Sequence, residues 1–244
     1  MSAAEDFFET ILAHFQKVRE TQWLKIQLAG EWLGQSLAHE GWLYAFGTGH
    51  SHLLAEEIFY RAGGLARATP ILDSRLMLHE EAIQATYIER ESGYAAQILN
   101  RYPVKSGDVL IVASNSGRNA VPIEMAMEGR ERGLKVIAIT NLAHSLAWPT
   151  RHESGKRLSD VADIVLDTCG IEGDAATQIP GFPYVAGSPS TATGALLVNL
   201  IVVAGIESAV RLGHHPEVFI SSNTNGDDHN DRLLQKYRPV NPHL

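Results

Sequence analysis

The sequence predicts an α/β protein, a three-layer α/β/α doubly wound parallel sheet preceded by an N-terminal helical extension. Three observations predict it. Apolar, β-branched or aromatic runs at 42–47, 65–72, 109–113, 135–140 and 161–166 alternate with segments of helical character, the pattern of strands joined by helical crossovers. The runs at 109–113 and 135–140 are almost continuously apolar, as strands covered on both faces must be. Small hydroxyl residues gather where strands give way to helices, at Thr48/Ser51, Ser114/Ser116 and Ser188/Ser190/Thr191. Ligands of such sheets bind at the carboxyl ends of the strands. We read residues 1–244 as one unit, with a helix at 1–40, an α/β core at 41–212 and a C-terminal arm at 213–244.

The N-terminal helix rests on Phe7, Phe8, Ile11, Leu12, Phe15, Val18, Trp23, Ile26 and Leu33, which recur near the helical period. Such a face must be buried against the flank of the sheet or a second subunit. Its length and its aromatic residues predict a homodimer. The first strand ends at Gly47, and Thr48, Gly49, His50 and Ser51 lead into a helix reaching about residue 62. Gly47 and Gly49 begin a dinucleotide fingerprint, but His52 stands where the third glycine belongs. Residues 73–91 read as an irregular connection, because Arg75, His79, Glu80, Glu81, Glu89, Arg90 and Glu91 are mixed with few apolar side chains. A helix is expected at about 92–102, before Pro103 and Gly107.

Beyond the 135–140 strand, residues 142–157 read as a loop with one helical turn, and 170–189, rich in Gly and Pro, as loop. Residues 192–212 are apolar on most faces and predict a central, buried helix. The polar tail from Pro216 holds Asn223, Asn225, Asp227, Asp228, His229, Asn230 and Asp231. It is either an arm that completes a site or a frayed terminus.

Composition narrows the function. A net charge of −8 and the lack of any Lys/Arg cluster argue against a nucleic-acid surface. A bound anion must therefore be held by local dipoles and a few cations. Cys169 is the single cysteine, so no internal disulfide forms and a reducing compartment is expected. Glu5, Asp6 and Glu9 stand where a signal peptide would carry positive charge, and no apolar run is read as membrane-spanning. A cytoplasmic protein with no membrane partner is the expectation. His214/His215 and His144/His152 match no ligand spacing with a carboxylate, so neither metal nor cofactor is expected.

The chemistry concentrates after the strand at 109–113. Ser114, Asn115, Ser116, Gly117, Arg118 and Asn119 crowd hydroxyls, amides and a guanidinium into one turn, and a helix resumes through Ile123 and Met125 to Gly129. Backbone N–H groups and hydroxyls at the positive end of a helix suit a phosphate. An ordinary capped connection has the same composition. The candidate phosphate-binding residues are Gly49, Ser51, Ser114, Asn115, Ser116, Gly117, Asn119, Ser188, Ser190 and Thr191.

These residues also carry a resemblance. The stretch Phe46, Gly47, Thr48, Gly49, His50, Ser51 and the stretch from Ala113 to Arg118 resemble the two phosphate-side loops of the sugar isomerase (SIS) domain family, over about residues 40–210. Ser154, Gly155, Lys156, Arg157 and Leu158, with Gly173, Asp174 and Ala175, are similar to uncharacterised SIS-domain proteins of about this length. The resemblance implies that the chain binds a phosphorylated sugar, dimerises and shares its sites between subunits. By position, Ser51, Ser114, Ser116 and Asn119 would hold the phosphate. More distantly, the chain resembles the phosphoheptose isomerases and the N-acetylmuramic acid 6-phosphate etherases. By resemblance to the etherases, Glu89 falls at a catalytic glutamate, and Glu57 at a second if a four-residue gap follows Ser51.

Chemistry at C2 of a sugar phosphate needs a base for the C2 proton and an acid–base partner at the neighbouring oxygens. Glu89, Glu57 and His50 are the candidate catalytic residues; either glutamate could equally be a solvated helix-face residue. Elimination from an amino-sugar or hexose 6-phosphate, for example N-acetylglucosamine 6-phosphate, is the expected reaction. Aldose–ketose isomerisation and non-catalytic sensing of a sugar phosphate are the alternatives.

Overall fold

The structure is a computed structural model that describes residues 2–224 and 226–244; Asn225, in the Asn/Asp-rich tail, lies outside them. Five parallel strands form the sheet: β1 (Leu43–Gly47), β2 (Ala68–Ile71), β3 (Val109–Ala113), β4 (Lys135–Thr140) and β5 (Ile164–Asp167), in the order β2-β1-β3-β4-β5. The chain first builds outward from β1 to β2 and then returns to add β3 on the other side. The topological switch point therefore falls between β1 and β3, whose register aligns Gly47 with Ala113.

The alternation of side chains sorts the strands onto two apolar faces. Leu43 and Ala45, Val109 and Ile111, and Ile137 and Ile139 pack under α1 (Ala3–Ala38), α2 (His52–Glu57) and α8 (Ser190–Arg211). Tyr44 and Phe46, Leu110 and Val112, and Val136 and Ala138 face α3 (Leu78–Ile88), α4 (Tyr94–Leu99), α5 (Ala120–Glu131) and α7 (Leu158–Val161). This is the expected three-layer arrangement. α6 (Leu142–Ala147) and a small antiparallel pair, β6 (Thr177–Gln178) and β7 (Val185–Ala186), ornament the loops after β4 and β5.

α1 begins with a capping box: the Glu5 N–H donates to Ser2 Oγ at 3.2 Å, and the Ser2 N–H donates to Glu5 Oε2 at 2.6 Å. Its deepest stripe includes His14 and Gln22, which an apolar pattern does not reveal. Gln22 accepts the N–H of Asp167 at 3.1 Å and Lys25 donates to Val165 O at 3.0 Å, so α1 also covers the β5 edge.

The region 73–91 departs from the expected irregular connection. It contains α3, bent at Glu81, whose φ of −156° is not helical. α3 buries only Ala85 and Ile88 on its inner side, too few apolar positions for a period to show in the sequence. α8 corrects another expectation. It is 22 residues long with a mean hydropathy of 1.8 over an 18-residue window, so one apolar run does reach membrane-spanning length. Half of that window is buried, where Leu197, Val198, Ile201 and Val202 pack against α1 and the sheet, and Val203 and Val210 are exposed.

The C-terminal arm is ordered as α9 (Asp227–Tyr237), and Leu233 and Tyr237 join Phe219 and Ala66 in a small separate core. Asn241 Nδ2 donates to Ala68 O at 3.2 Å, and Tyr102 Oη lies 2.9 Å from His243 Nε2, so the tail covers the β2 edge. β2 holds Pro70, which only an edge strand tolerates well. No described residue of the arm lines the cleft between the β1 and β3 loops.

Candidate functional site

The loops that follow β1 and β3 flank the switch point and enclose a cleft of about 280 Å³. From the β1 side come Thr48, Gly49, His50 and Ser51; from the β3 side come Ser114, Asn115, Ser116 and Asn119. The β3 turn is held from within. Ser114 Oγ accepts the Gly117 N–H at 3.1 Å, and Asn141 N–H donates to Asn115 O at 3.0 Å. Gly117 has φ +58°, and a Cβ there would meet Thr140 Oγ1 at 2.9 Å, so both backbone and space require glycine. Asn119 is the N-cap residue of α5, yet its side chain makes no capping bond, which leaves the helix start available to an anion.

That side chain is used elsewhere. Asn119 Nδ2 donates to Glu89 Oε1 at 2.5 Å, and Thr48 Oγ1 donates to Glu89 Oε2 at 2.8 Å. Val121 N–H donates to Glu89 O at 3.1 Å, so the end of α3 is pinned to the start of α5. Glu89 lines the cleft with both carboxylate oxygens gripped by the two switch-point loops. Burial pushes its pKa above the usual carboxylate value, and the Thr48 hydrogen bond, Arg90 and Arg151 oppose that rise without cancelling it. Arg151 NH1 donates to Asn119 Oδ1 at 3.1 Å, orienting the amide so that its NH₂ faces Glu89. Arg118 Nε donates to Pro149 O at 2.7 Å, and Arg118 O accepts the Arg151 N–H at 2.9 Å. Arg118 thus holds the 149–151 segment from which Arg151 reaches in.

The other wall comes from the loops after β4 and β5 and from the start of α8. His144, Thr168, Asp174, Ser190 and Thr191 line it. Asp174 Oδ2 accepts hydrogen bonds from Ser188 Oγ and Ser190 Oγ, each at 2.6 Å. His144 Nδ1 accepts the Gly173 N–H at 3.1 Å. Asn115 Oδ1, Thr168 Oγ1 and Asp174 Oδ1 are buried without a partner among the described residues. No described Lys or Arg lines the cleft. Among the described residues no group of three His, Cys, Asp or Glu side chains is arranged for a metal ion.

The predicted residues divide on this map. Gly49, His50, Ser51, Glu89, Ser114, Asn115, Ser116, Asn119, Ser190 and Thr191 line the cleft, with Gly117 and Ser188 directly behind it. Glu57 does not. Its Oε1 accepts from Asn199 Nδ2 at 2.8 Å and pairs with Arg61, on the side of α2 turned toward α8. His52 is buried and donates from Nδ1 to Gly49 O, bracing the turn. His79 stacks near the His52 ring at 6.0 Å and His229 lies 2.9 Å from Val218 O, both away from the cleft. Sequence reasoning did not single out His144, Asp174 or Arg151 as site residues. His144 and Arg151 carry no local motif, whereas Asp174 follows Gly173 in the stretch that resembled other SIS-domain chains.

A SIS domain family profile matches residues 6–141. The chain belongs to the SIS domain family. It is 45% identical over 220 residues to a UPF0309 protein of Listeria innocua, covering 90% of this chain and 89% of that one. It is 41% identical over 244 residues to a UPF0309 protein of Thermoanaerobacter pseudethanolicus, covering 98% and 99%. Among solved structures, a phosphoheptose isomerase from Francisella tularensis shares the fold at a TM-score of 0.53 and 16% identity, over 84% of this chain and 96% of that one. A phosphoheptose isomerase from Neisseria gonorrhoeae does so at a TM-score of 0.50 and 18% identity, over 80% and 92%. The Vibrio vulnificus NanR protein, complexed with ManNAc-6P, does so at 0.52 and 18%, over 96% and 67%. These three likenesses are of fold alone.

Proposed function

We propose that this SIS-domain chain, acting as one unit over residues 1–244, binds a hexose or amino-sugar 6-phosphate and that Glu89 transfers the C2 proton of the bound sugar. The observation that carries this reading is the seat of Glu89. Its carboxylate is held by Thr48 and Asn119, one from each switch-point loop, beside the Ser114–Asn119 turn and its uncapped helix start. One SIS-fold neighbour is a complex with ManNAc-6P and two are phosphoheptose isomerases, which supports a sugar phosphate as the ligand. In this reading the phosphate lies on the β3 turn. Burial gives Glu89 a pKa nearer to working pH than an ordinary glutamate, as a general base needs. The His144 ring, with Nδ1 engaged by Gly173, offers an Nε2–H to a carbonyl or hydroxyl oxygen.

Isomerisation and elimination share the C2 step. Elimination of the etherase kind would employ a second glutamate, and Glu57 is turned to Arg61 and Asn199. That favours aldose–ketose isomerisation, in which the proton returns to C1, over elimination across C2–C3. Resemblance in fold to the phosphoheptose isomerases agrees with this preference.

The test is proton exchange. Glucose 6-phosphate, glucosamine 6-phosphate and N-acetylglucosamine 6-phosphate are incubated in D₂O with the wild type and with Glu89→Gln. Deuterium is expected at C2 with the wild type, about 10² to 10⁴ times more slowly with Glu89→Gln, while binding survives. A ketose product marks isomerisation, and an ultraviolet-absorbing unsaturated product marks elimination. Equal rates for the two proteins would remove Glu89 from the chemistry. Binding without exchange on any of the sugars would assign the cleft to sensing.

A further inference from the structure

The two ends of the cleft differ in what they ask of a ligand. At the β3 turn the groups are donors: the uncapped start of α5 and the hydroxyls of Ser114 and Ser116. At the start of α8 the polarity reverses. Asp174 brings a carboxylate to the wall, and Ser188 and Ser190 both direct their hydroxyl hydrogens to its Oδ2 at 2.6 Å. Of the two, Ser190 lines the cleft, and it is the lone pairs of its hydroxyl, not the proton, that a ligand meets there. Asp174 Oδ1 is buried with no partner among the described residues. An unpaired carboxylate oxygen out of water is costly. A donor from the nearby His14 ring, whose Nδ1 is likewise buried without a partner among the described residues, or from a bound molecule removes that cost. A phosphate dianion at the same place would be repelled by the carboxylate, although a bare helix start would attract it.

The backbone shows that the position is imposed. Asp174 has φ +56°, in the left-handed region that a non-glycine residue enters at a cost. The chain accepts this conformation and thereby sets a carboxylate, rather than a neutral residue, opposite the phosphate turn. Across the same wall, the His144 ring accepts the Gly173 N–H, so the two side chains are fixed by one short loop.

We propose that Asp174 is the specificity-determining residue at the sugar end of the cleft, accepting a hydrogen bond from a hydroxyl or ammonium group of the ligand while the phosphate lies at the Ser114–Asn119 end. This rests on the phosphosugar reading and sharpens it. It also moves Ser188 and Ser190 from phosphate binding to the holding of Asp174.

The experiment compares dissociation constants for inorganic phosphate, glucose 6-phosphate, glucosamine 6-phosphate and the 2-, 3- and 4-deoxy analogues of glucose 6-phosphate. The proteins are the wild type and Asp174→Asn. Asparagine tolerates the left-handed backbone, and its carbonyl still accepts both serine hydroxyls, so only the charge and the free acceptor are lost. Phosphate should bind both proteins alike, whereas glucose 6-phosphate should bind Asp174→Asn about 10- to 100-fold more weakly. One deoxy sugar should show that same loss on the wild type and no further loss on the variant. An ammonium donor would instead appear as a wild-type preference for glucosamine 6-phosphate over glucose 6-phosphate that vanishes in Asp174→Asn.

Sugar phosphates that bind Asp174→Asn as tightly as the wild type overturn the assignment of Asp174 and leave the phosphosugar reading intact. Equal losses of phosphate and sugar phosphate overturn it too, because a sugar-end contact leaves phosphate untouched. A wild type that binds no sugar phosphate overturns the phosphosugar reading, and this assignment with it. Where Asp174→Asn does not fold, Asp174→Gly, suited to the same backbone, supplies the same affinity ratio and is judged by the same outcomes.

Discussion

Glu89 is the residue at which burial and hydrogen bonding pull in opposite directions. Desolvation raises its pKa, while the Thr48 hydroxyl and the charges of Arg90 and Arg151 lower it, and burial wins. A carboxyl whose folded pKa exceeds its unfolded value of about 4.3 favours folding most when protonated in both states. That contribution is lost as pH rises through the raised folded value, because the folded state must then carry a buried charge. Glu89→Gln removes the charge and keeps the shape. Denaturant unfolding at a series of pH values should therefore show the variant gaining on the wild type from about pH 4 upward, levelling off once Glu89 is ionised. A stability difference that does not change with pH would mean that Glu89 is solvated, and the case for it as a tuned base would go.

At the scale of elements, the central strands were the most legible. β3 is an uninterrupted apolar run and β4 nearly one, as strands buried on both faces must be, whereas the edge strands β2 and β5 carry Thr69, Pro70 and Asp167. Where polar side chains stand in buried or cleft positions, the pattern fails. His14 and Gln22 occupy the deep stripe of α1, and α3 buries too little to show a period. The turn after β3 could be read as an anion site because its residue types are unusual and adjacent. On the opposite wall the hydroxyls of Ser190 and Thr191 were legible in the same way, but His144 and Asp174 were not. These two join the hydroxyls only through the crossovers that bring the ends of β4 and β5 and the start of α8 together.

The seam between α1 and α8 was also hidden, because it is made of small residues. A Cβ on Gly30 would lie 2.4 Å from Ala204 Cβ, and one on Gly34 would lie 2.5 Å from Ser208 Cβ. Gly30→Ala should gain about 1 kcal/mol from helix propensity. Overpacking costs about 1–3 kcal/mol, and an overlap of this size belongs at the upper end, so the net effect is a loss. Thermal unfolding should show a lower midpoint for Gly30→Ala and partial recovery when Ala204→Gly is added. A midpoint above that of the wild type would show that the helices separate freely and that the seam contributes no close packing.

The whole molecule is shaped by how far α1 outruns that seam. Gly30 meets Ala204 and Gly34 meets Ser208, so α1 and α8 run parallel. Extending that register carries α1 roughly four turns beyond the first residue of α8. The buried stripe of Ile26 and Leu33 runs on toward the N-terminus through Gln22, Val18 and His14, and Trp23, Phe15, Leu12 and Phe8 form an apolar strip beside it. That strip is largely uncovered: Phe8 is 60% exposed, Trp23 45% and Leu12 37%. Trp23 and Phe15 also border a hollow of about 660 Å³ with Leu196 and Leu200 of α8. An apolar stripe of this length is not left to water in a stable soluble state, and we propose that a second copy of the chain covers it. Deleting residues 1–38 would remove Leu33 and Leu37 from the core as well, so loss of the dimer could not be told from loss of the fold. Phe8→Glu with Leu12→Glu touches only the uncovered stretch. Sedimentation at micromolar concentration should give a dimer for the wild type and a folded monomer, with unchanged far-ultraviolet dichroism, for the double variant. A wild type that sediments as a monomer, or a double variant that remains a dimer, would take the partner subunit off this face.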